Sequence, residues 1–190
     1  MKKRIILGVT GASGSAYATA LAAELGGRDD IELHVIISDA ARQVMKLETG
    51  TSTVDITGPA FASYHIGDIA APPASGSWRH HGMIICPCSM TTLGTIANGT
   101  GNNLIHRAAD VTLKEKRPLV LVPRETPLNE IHLRNMLRAH RAGATILPAC
   151  PGFYNSPLSI SDLFTQIAAR VLDQLDIEHH LAPRWGDASA

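Results

Sequence analysis

Residues Ile5 to Thr10 form an apolar run with no alternation of polar positions. Such a run reads as a strand covered on both faces, as in a parallel sheet packed between helices. The small residues Gly11 to Ser15 then make a turn. Ala16 to Leu25 is rich in Ala and Leu and reads as a helix closed by Gly26-Gly27. Ile31 to Ser38 repeats the strand pattern, and Asp39 to Thr49 a helical one. A β-turn-α-β unit of this kind predicts parallel strands with a right-handed crossover.

Residues 50–75 break the regularity with Thr, Ser, Gly and Pro, and Ala71 to Ser77 must be a shaped loop. Met83 to Cys86 is a short central strand. Helices follow at Ser89–Ala97 and Asn102–Lys116, then a strand at Leu119–Val122 and a proline-fixed loop, Pro123 to Pro127. Asn129–Arg141 is a helix, Thr145–Leu147 a strand, and Ser159 caps a last helix running to about Leu175. The alternation predicts a doubly wound, parallel α/β sheet of Rossmann-like or flavodoxin-like type. We read residues 1–190 as a single domain, with a C-terminal tail from about residue 176. Ligands of such folds sit at the carboxyl ends of the strands, so the loops there carry the chemistry.

Composition narrows the reading. The 190 residues are 45% hydrophobic and 18% charged, which excludes disordered and collagen-like classes. Aromatics are only 4%, so the core is aliphatic. Seventeen basic residues balance seventeen acidic ones, and no net field draws the chain to nucleic acid or an anionic membrane. Three cysteines make no disulfide framework and read as reduced thiols of a cytoplasmic protein. The basic start, Met1 to Arg4, resembles a signal peptide faintly, but its apolar run is too short. No apolar run is long enough to span a membrane. The nine histidines show no metal-binding spacing.

The strand-end loops are dressed for anions. Gly11-Ala12-Ser13-Gly14 allows close backbone approach at a helix N-terminus, although it is neither a Walker A nor a clean G-x-G-x-x-G pattern. A tight β–α turn would look the same. Ser38 reads as an N-cap. Glu48 stands at a helix C-terminus, where the dipole disfavours a carboxylate, so either another use or plain solvation explains it. Cys86 and Cys88 read as buried thiols rather than a zinc site. Ser89, Thr91 and Thr92 open a second anion-ready helix. Arg107 and Lys114 share a helix face, as a solvated stripe or as two cations aimed at a phosphate. Arg124-Glu125 is a charged pair fixed between prolines. Tyr154 and Arg170 read as a packing aromatic and an exposed cation.

Taken in order, six loops resemble the UbiX family of flavin prenyltransferases: Thr10 to Gly14, Pro72 to Ser77, Cys86 to Ser89, Gly101 to Asp110, Leu121 to Pro127 and Pro151 to Tyr154. Pro183-Arg184-Trp185-Gly186 extends the likeness towards the end of the chain. The resemblance implies a metal-independent transferase that joins dimethylallyl phosphate to reduced FMN, at ring nitrogen 5 and ring carbon 6. The product, prenylated FMN, would serve a UbiD-type decarboxylase as partner. By motif, Gly11, Ala12, Ser13, Ser38, Ser89, Met90, Thr91, Thr92 and Arg124 would contact FMN. Arg107, Lys114, Arg124, Glu125, Tyr154 and Arg170 would surround the dimethylallyl phosphate. Ser13 and Glu48 would handle protons, with Lys114, Glu125 and Tyr154 also catalytic and Trp185 near the prenyl group. The family forms homo-oligomers, commonly dodecamers, with sites at subunit interfaces.

The rival reading is an FMN-dependent oxidative decarboxylase of cysteine-containing substrates. Those enzymes carry Pro-Ala-Ser-Ala-Asn-Thr, where this chain has Pro73-Ala74-Ser75-Gly76-Ser77. A flavin carrier without chemistry would not need a second phosphate site.

Overall fold

The chain is described by a computed structural model covering residues 2–50 and 52–182. Six strands form one sheet: β1 (Lys3–Val9), β2 (Ile31–Ile37), β3 (Ala62–Tyr64), β4 (Gly82–Cys88), β5 (Leu119–Pro123) and β6 (Ala144–Ile146). Every pairing is parallel, and the spatial order is β3-β2-β1-β4-β5-β6. The chain winds outward from β1 to β3, then returns to place β4 on the other side of β1. The order therefore reverses between β1 and β4, which opens a crevice beyond their carboxyl ends.

The helices cover both faces: α1 (Ser15–Gly26), α2 (Asp39–Glu48), α3 (Val54–Thr57), α4 (Met90–Asn98), α5 (Leu104–Lys114), α6 (Glu130–Arg141) and α7 (Ile160–Asp173). Side chains alternate along each strand, so β1 feeds two cores. Ile5, Leu7 and Val9 pack with α1 and α7, while Ile6 joins Met83, Ile85 and Leu121 beneath α5. Each fully buried aliphatic side chain of this kind contributes about 1.5–3 kcal/mol relative to exposure.

The apolar runs predict β2 and β5 to within a residue, whereas β1 begins two residues before the expected Ile5 and ends at Val9. The expected central strand, Met83–Cys86, is longer and runs from Gly82 to Cys88. The irregular stretch holds the short helix α3, the edge strand β3 and a 3-10 turn at Pro72–Ala74, none of which the pattern predicts. β3 spans three residues, none of them buried, so it carries no hydrophobic signature. Beyond α7, Leu175, Ile177 and His179 are buried against the domain. Among the described residues no helix is long and apolar enough to cross a membrane, and no group of three or more metal-ligating side chains gathers.

Candidate active site

The crevice is stitched by a residue that the sequence does not single out. The Thr10 hydroxyl donates to the Pro87 carbonyl at 2.8 Å and accepts from the Ser89 N–H at 2.8 Å. One buried side chain thus ties the loop after β1 to the loop after β4. Ser89 then caps α4: its hydroxyl oxygen accepts from the Thr92 N–H at 3.2 Å and lies 3.1 Å from the Thr92 hydroxyl. Thr92 is consequently buried in the cap and does not line the crevice.

The N-terminus of α1 is built differently. Gly14, its first flanking residue, has φ of 110° and no side chain to cap with. Glu48, from the far end of α2, fills the place. Its carboxylate accepts from the Gly14 N–H at 2.9 Å, the Ser15 N–H at 3.0 Å and the Ser15 hydroxyl at 2.7 Å, and the Ser13 side chain also favours its charged form. Burial works to raise this carboxyl group's pKa, but the hydrogen bonds from Ser13, Ser15 and Gly14 outweigh it and leave the pKa lowered. The expectation of a free anion-binding terminus at Gly11–Ser15 is thus corrected: the protein's own carboxylate already holds it. The poor placing of Glu48 on its own helix is explained by its service to another.

Between the two termini opens a cleft of about 640 Å³. Gly11, Ala12 and Ser13 form one wall, with Ser89, Met90 and Thr91 opposite. Arg124 and Glu125 close one side, and the Arg124 Nε donates to the Ser13 carbonyl at 3.1 Å. The cleft also takes in Thr95, Asn98, His132 and Asn135 from α4 and α6. Sequence reasoning misses these because they line the crevice only once the two helices pack together. Their one sequence signal is the run of polar residues along the α6 side that meets α4. Ser38 is not on the wall. It caps α2, accepting from the Ala41 N–H at 3.1 Å, and its own N–H donates to Val9 at the end of β1.

Residues 1–172 match the Flavoprotein family. Flavin prenyltransferase UbiX of Alkalihalophilus pseudofirmus is 47% identical over 197 aligned residues, covering 98% of each chain. The chain belongs to the UbiX family of flavin prenyltransferases. The crystal structure of AnUbiX (PadA1) in complex with FMN and dimethylallyl pyrophosphate superposes with a TM-score of 0.93, at 45% identity and 98% coverage of both chains. A dodecameric FMN-dependent UbiX-like decarboxylase from Escherichia coli O157:H7 gives 0.92 at 46% identity, covering 96% of this chain and 98% of its own. The peptidyl-cysteine decarboxylase EpiD, at 16% identity and a TM-score of 0.65, is a likeness of fold alone. The cysteine-decarboxylase alternative is not favoured.

Set against the UbiX expectation, Arg124 lines this cleft, whereas Arg107, Lys114 and Arg170 do not. Arg124 follows β5, whereas Lys114 precedes it, and a five-residue strand separates the two by about 15 Å or more. Lys114 pairs with Glu115 at 2.5 Å. Arg107 pairs with Asp110 at 2.7 Å and opens on a separate small pocket of about 190 Å³. Arg170 pairs with Asp173 near the end of α7. Tyr154 stands on an exposed loop beside Phe153. Trp185 lies outside the described residues. In this structure Arg107 and Lys114 are each paired with a neighbouring carboxylate, and neither lines the cleft that Arg124 borders. Cys86 and Cys88 are buried, and that burial raises both thiols far above their ordinary range, in keeping with inert packing groups.

Proposed function

We propose that the protein is a flavin prenyltransferase that joins dimethylallyl phosphate to reduced FMN and yields prenylated FMN for a UbiD-type decarboxylase. The observation that carries this reading is the cleft itself: about 640 Å³ at the sheet's switch point, with a fixed guanidinium on one side and an ionised carboxylate reached through a hydroxyl on another. A flavin fits this space. Gly11, Ala12 and Ser13 would flank it, with Ser38 beyond the wall. The first turn of α4, at Met90 and Thr91, offers N–H groups without intrahelical partners, while the Ser89 N–H is held by Thr10. Thr92 would act through the Ser89 cap. FMN, when bound, supplies the electron-rich ring to which the prenyl group is joined.

Breaking the allylic C–O bond releases phosphate, and cations stabilise that departure most where water is excluded. Arg124 is in place for this, with Glu125 beside it. Arg107, Lys114, Arg170 and Tyr154 would come to the same cleft from neighbouring copies in a symmetric homo-oligomer, a dodecamer in this reading. The exposed apolar side chains Leu133, Leu137, Leu158 and Ile160 support such an assembly. Trp185 would offer the prenyl group an aromatic face. Ser13 and Glu48 would pass the ring proton away from the cleft, the hydroxyl as relay and the carboxylate as acceptor. We place the protein in the cytoplasm, in line with its free thiols.

Anaerobic incubation with reduced FMN and dimethylallyl phosphate, followed by mass analysis of the extracted flavin, tests the reading. Gain of one C5H8 unit is expected. Flavin recovered unchanged would overturn it.

A further inference from the structure

The loop Pro72–Ser77 carries much of the family likeness, yet none of its residues has a role in the reading above. It lies against α5. The Arg107 Nε donates to the Ala74 carbonyl at 3.2 Å. At Gly76 an added Cβ would stand 2.5 Å from the Glu115 carboxylate and 2.8 Å from the Lys114 ammonium. The loop is therefore in contact with both α5 cations and sets the room they have.

Arg117 holds this loop in place. Its guanidinium donates to the Gly76 carbonyl at 2.9 Å, to the Trp78 carbonyl at 3.0 Å and to the His80 Nδ1 at 2.8 Å. His80 is buried, and its tautomer follows from the network. Nδ1 accepts from Arg117, so Nε2 carries the proton and donates to the Thr112 hydroxyl at 2.9 Å. That hydroxyl donates in turn to the Ala108 carbonyl at 2.7 Å, within α5 itself. A directed chain of hydrogen bonds thus runs from the loop through Arg117 and His80 to the helix that bears Arg107 and Lys114. A planar guanidinium suits the post because three acceptors must be met in a fixed fork, which an ammonium does not reproduce.

We propose that Arg117, braced by His80, is a positioning residue for the prenyl donor: it locks the 74–77 loop against α5 and so fixes where Arg107 and Lys114 present their charge. The proposal rests on the prenyltransferase reading. It predicts a split that general weakening of the fold would not give. In Arg117→Ala, KM for dimethylallyl phosphate rises about tenfold, the cost of one misplaced charge-assisted contact, while FMN affinity stays within about twofold. Arg117→Lys recovers only part of the loss. Added guanidinium ion restores the donor KM of Arg117→Ala towards wild type.

The test is steady-state prenylation with the donor varied, alongside FMN titration of each variant. A donor KM unchanged in folded Arg117→Ala, or FMN affinity falling in parallel with it, overturns the proposal. If Arg117→Ala does not fold, Gly76→Ala reaches the same loop from the other side. Its donor KM should rise about threefold as the Lys114 ammonium is displaced, and an unchanged KM overturns the proposal equally. Wild-type protein that binds FMN and makes no prenylated product would instead overturn the reading on which the proposal rests.

Discussion

Helices α1 and α4 both begin at the crevice, one after each of the two central strands, yet their N-termini are closed by opposite means. Ser89 closes α4 from within, three residues ahead of the N–H it satisfies. Glu48 closes α1 from 34 residues away. The backbone explains the difference. A side-chain N-cap needs extended backbone, which Ser89 has at φ of −69° and ψ of 151°. Gly14 sits at φ of 110°, where an L side chain is strained, so the cap of α1 has to come from another element. The lesson is functional as well as structural. A local cap only ends a helix, whereas a cap brought from a distance also sets an ionised group against the loop that walls the cleft.

The sharpest way to break this contrast is Glu48→Gln, which keeps the shape and removes the charge. Loss of a positioned proton acceptor should slow formation of prenylated flavin by about 100-fold, with FMN affinity nearly kept. Product formed at the wild-type rate would reduce Glu48 to a cap like Ser89. Thr10→Val, which cuts the stitch between the two termini, removes two buried hydrogen bonds and should cost about 2 kcal/mol in denaturant unfolding. A cost near zero would mean that the loops hold their positions without it. Ser89→Ala should cost about 1 kcal/mol, with the damage confined to α4.

The smallest effect separates the two caps by pH. Because the Glu48 pKa is lowered on folding, the unfolded chain binds more protons at acid pH. The stability difference between wild type and Glu48→Gln should therefore be complete above about pH 4.5 and fade as pH falls through the folded value. The deficit of Ser89→Ala should not change with pH. A common background cancels from both differences: burial lowers His34 and His80 from 6.5 to about 4, so stability is complete above about pH 6.5 and declines towards pH 4. Unfolding midpoints measured from pH 3.5 to 7.5 check all three.

The same contrast marks what the sequence could disclose. Period and punctuation reveal β1, β2, β5 and the caps at Ser38 and Ser159, because each is decided by residues within a few positions of one another. Glu48, Thr10 and Arg117 act across 34, 77 and 37–41 residues. No local pattern records such pairs. Glu48 is the instructive case, since its poor fit to its own helix dipole is legible while the helix it serves is not. Arg107 and Lys114 are correctly read as sharing a helix, but helix spacing says nothing of where that helix lies relative to the cleft. The polar cleft residues of α4 and α6, Asn98 and Asn135 among them, become neighbours only through tertiary packing.

The strand order has one more consequence. The sheet is two successive halves, β1 to β3 and β4 to β6, which meet along β1 and β4. The cleft lies on that seam, with Gly11 to Ser13 from the first half facing Ser89 to Thr91 and Arg124 from the second. Whatever occupies it acts as a rivet between halves made at different moments of chain synthesis. Occupancy by flavin should therefore be felt far from the ring, as a higher barrier to the two halves parting.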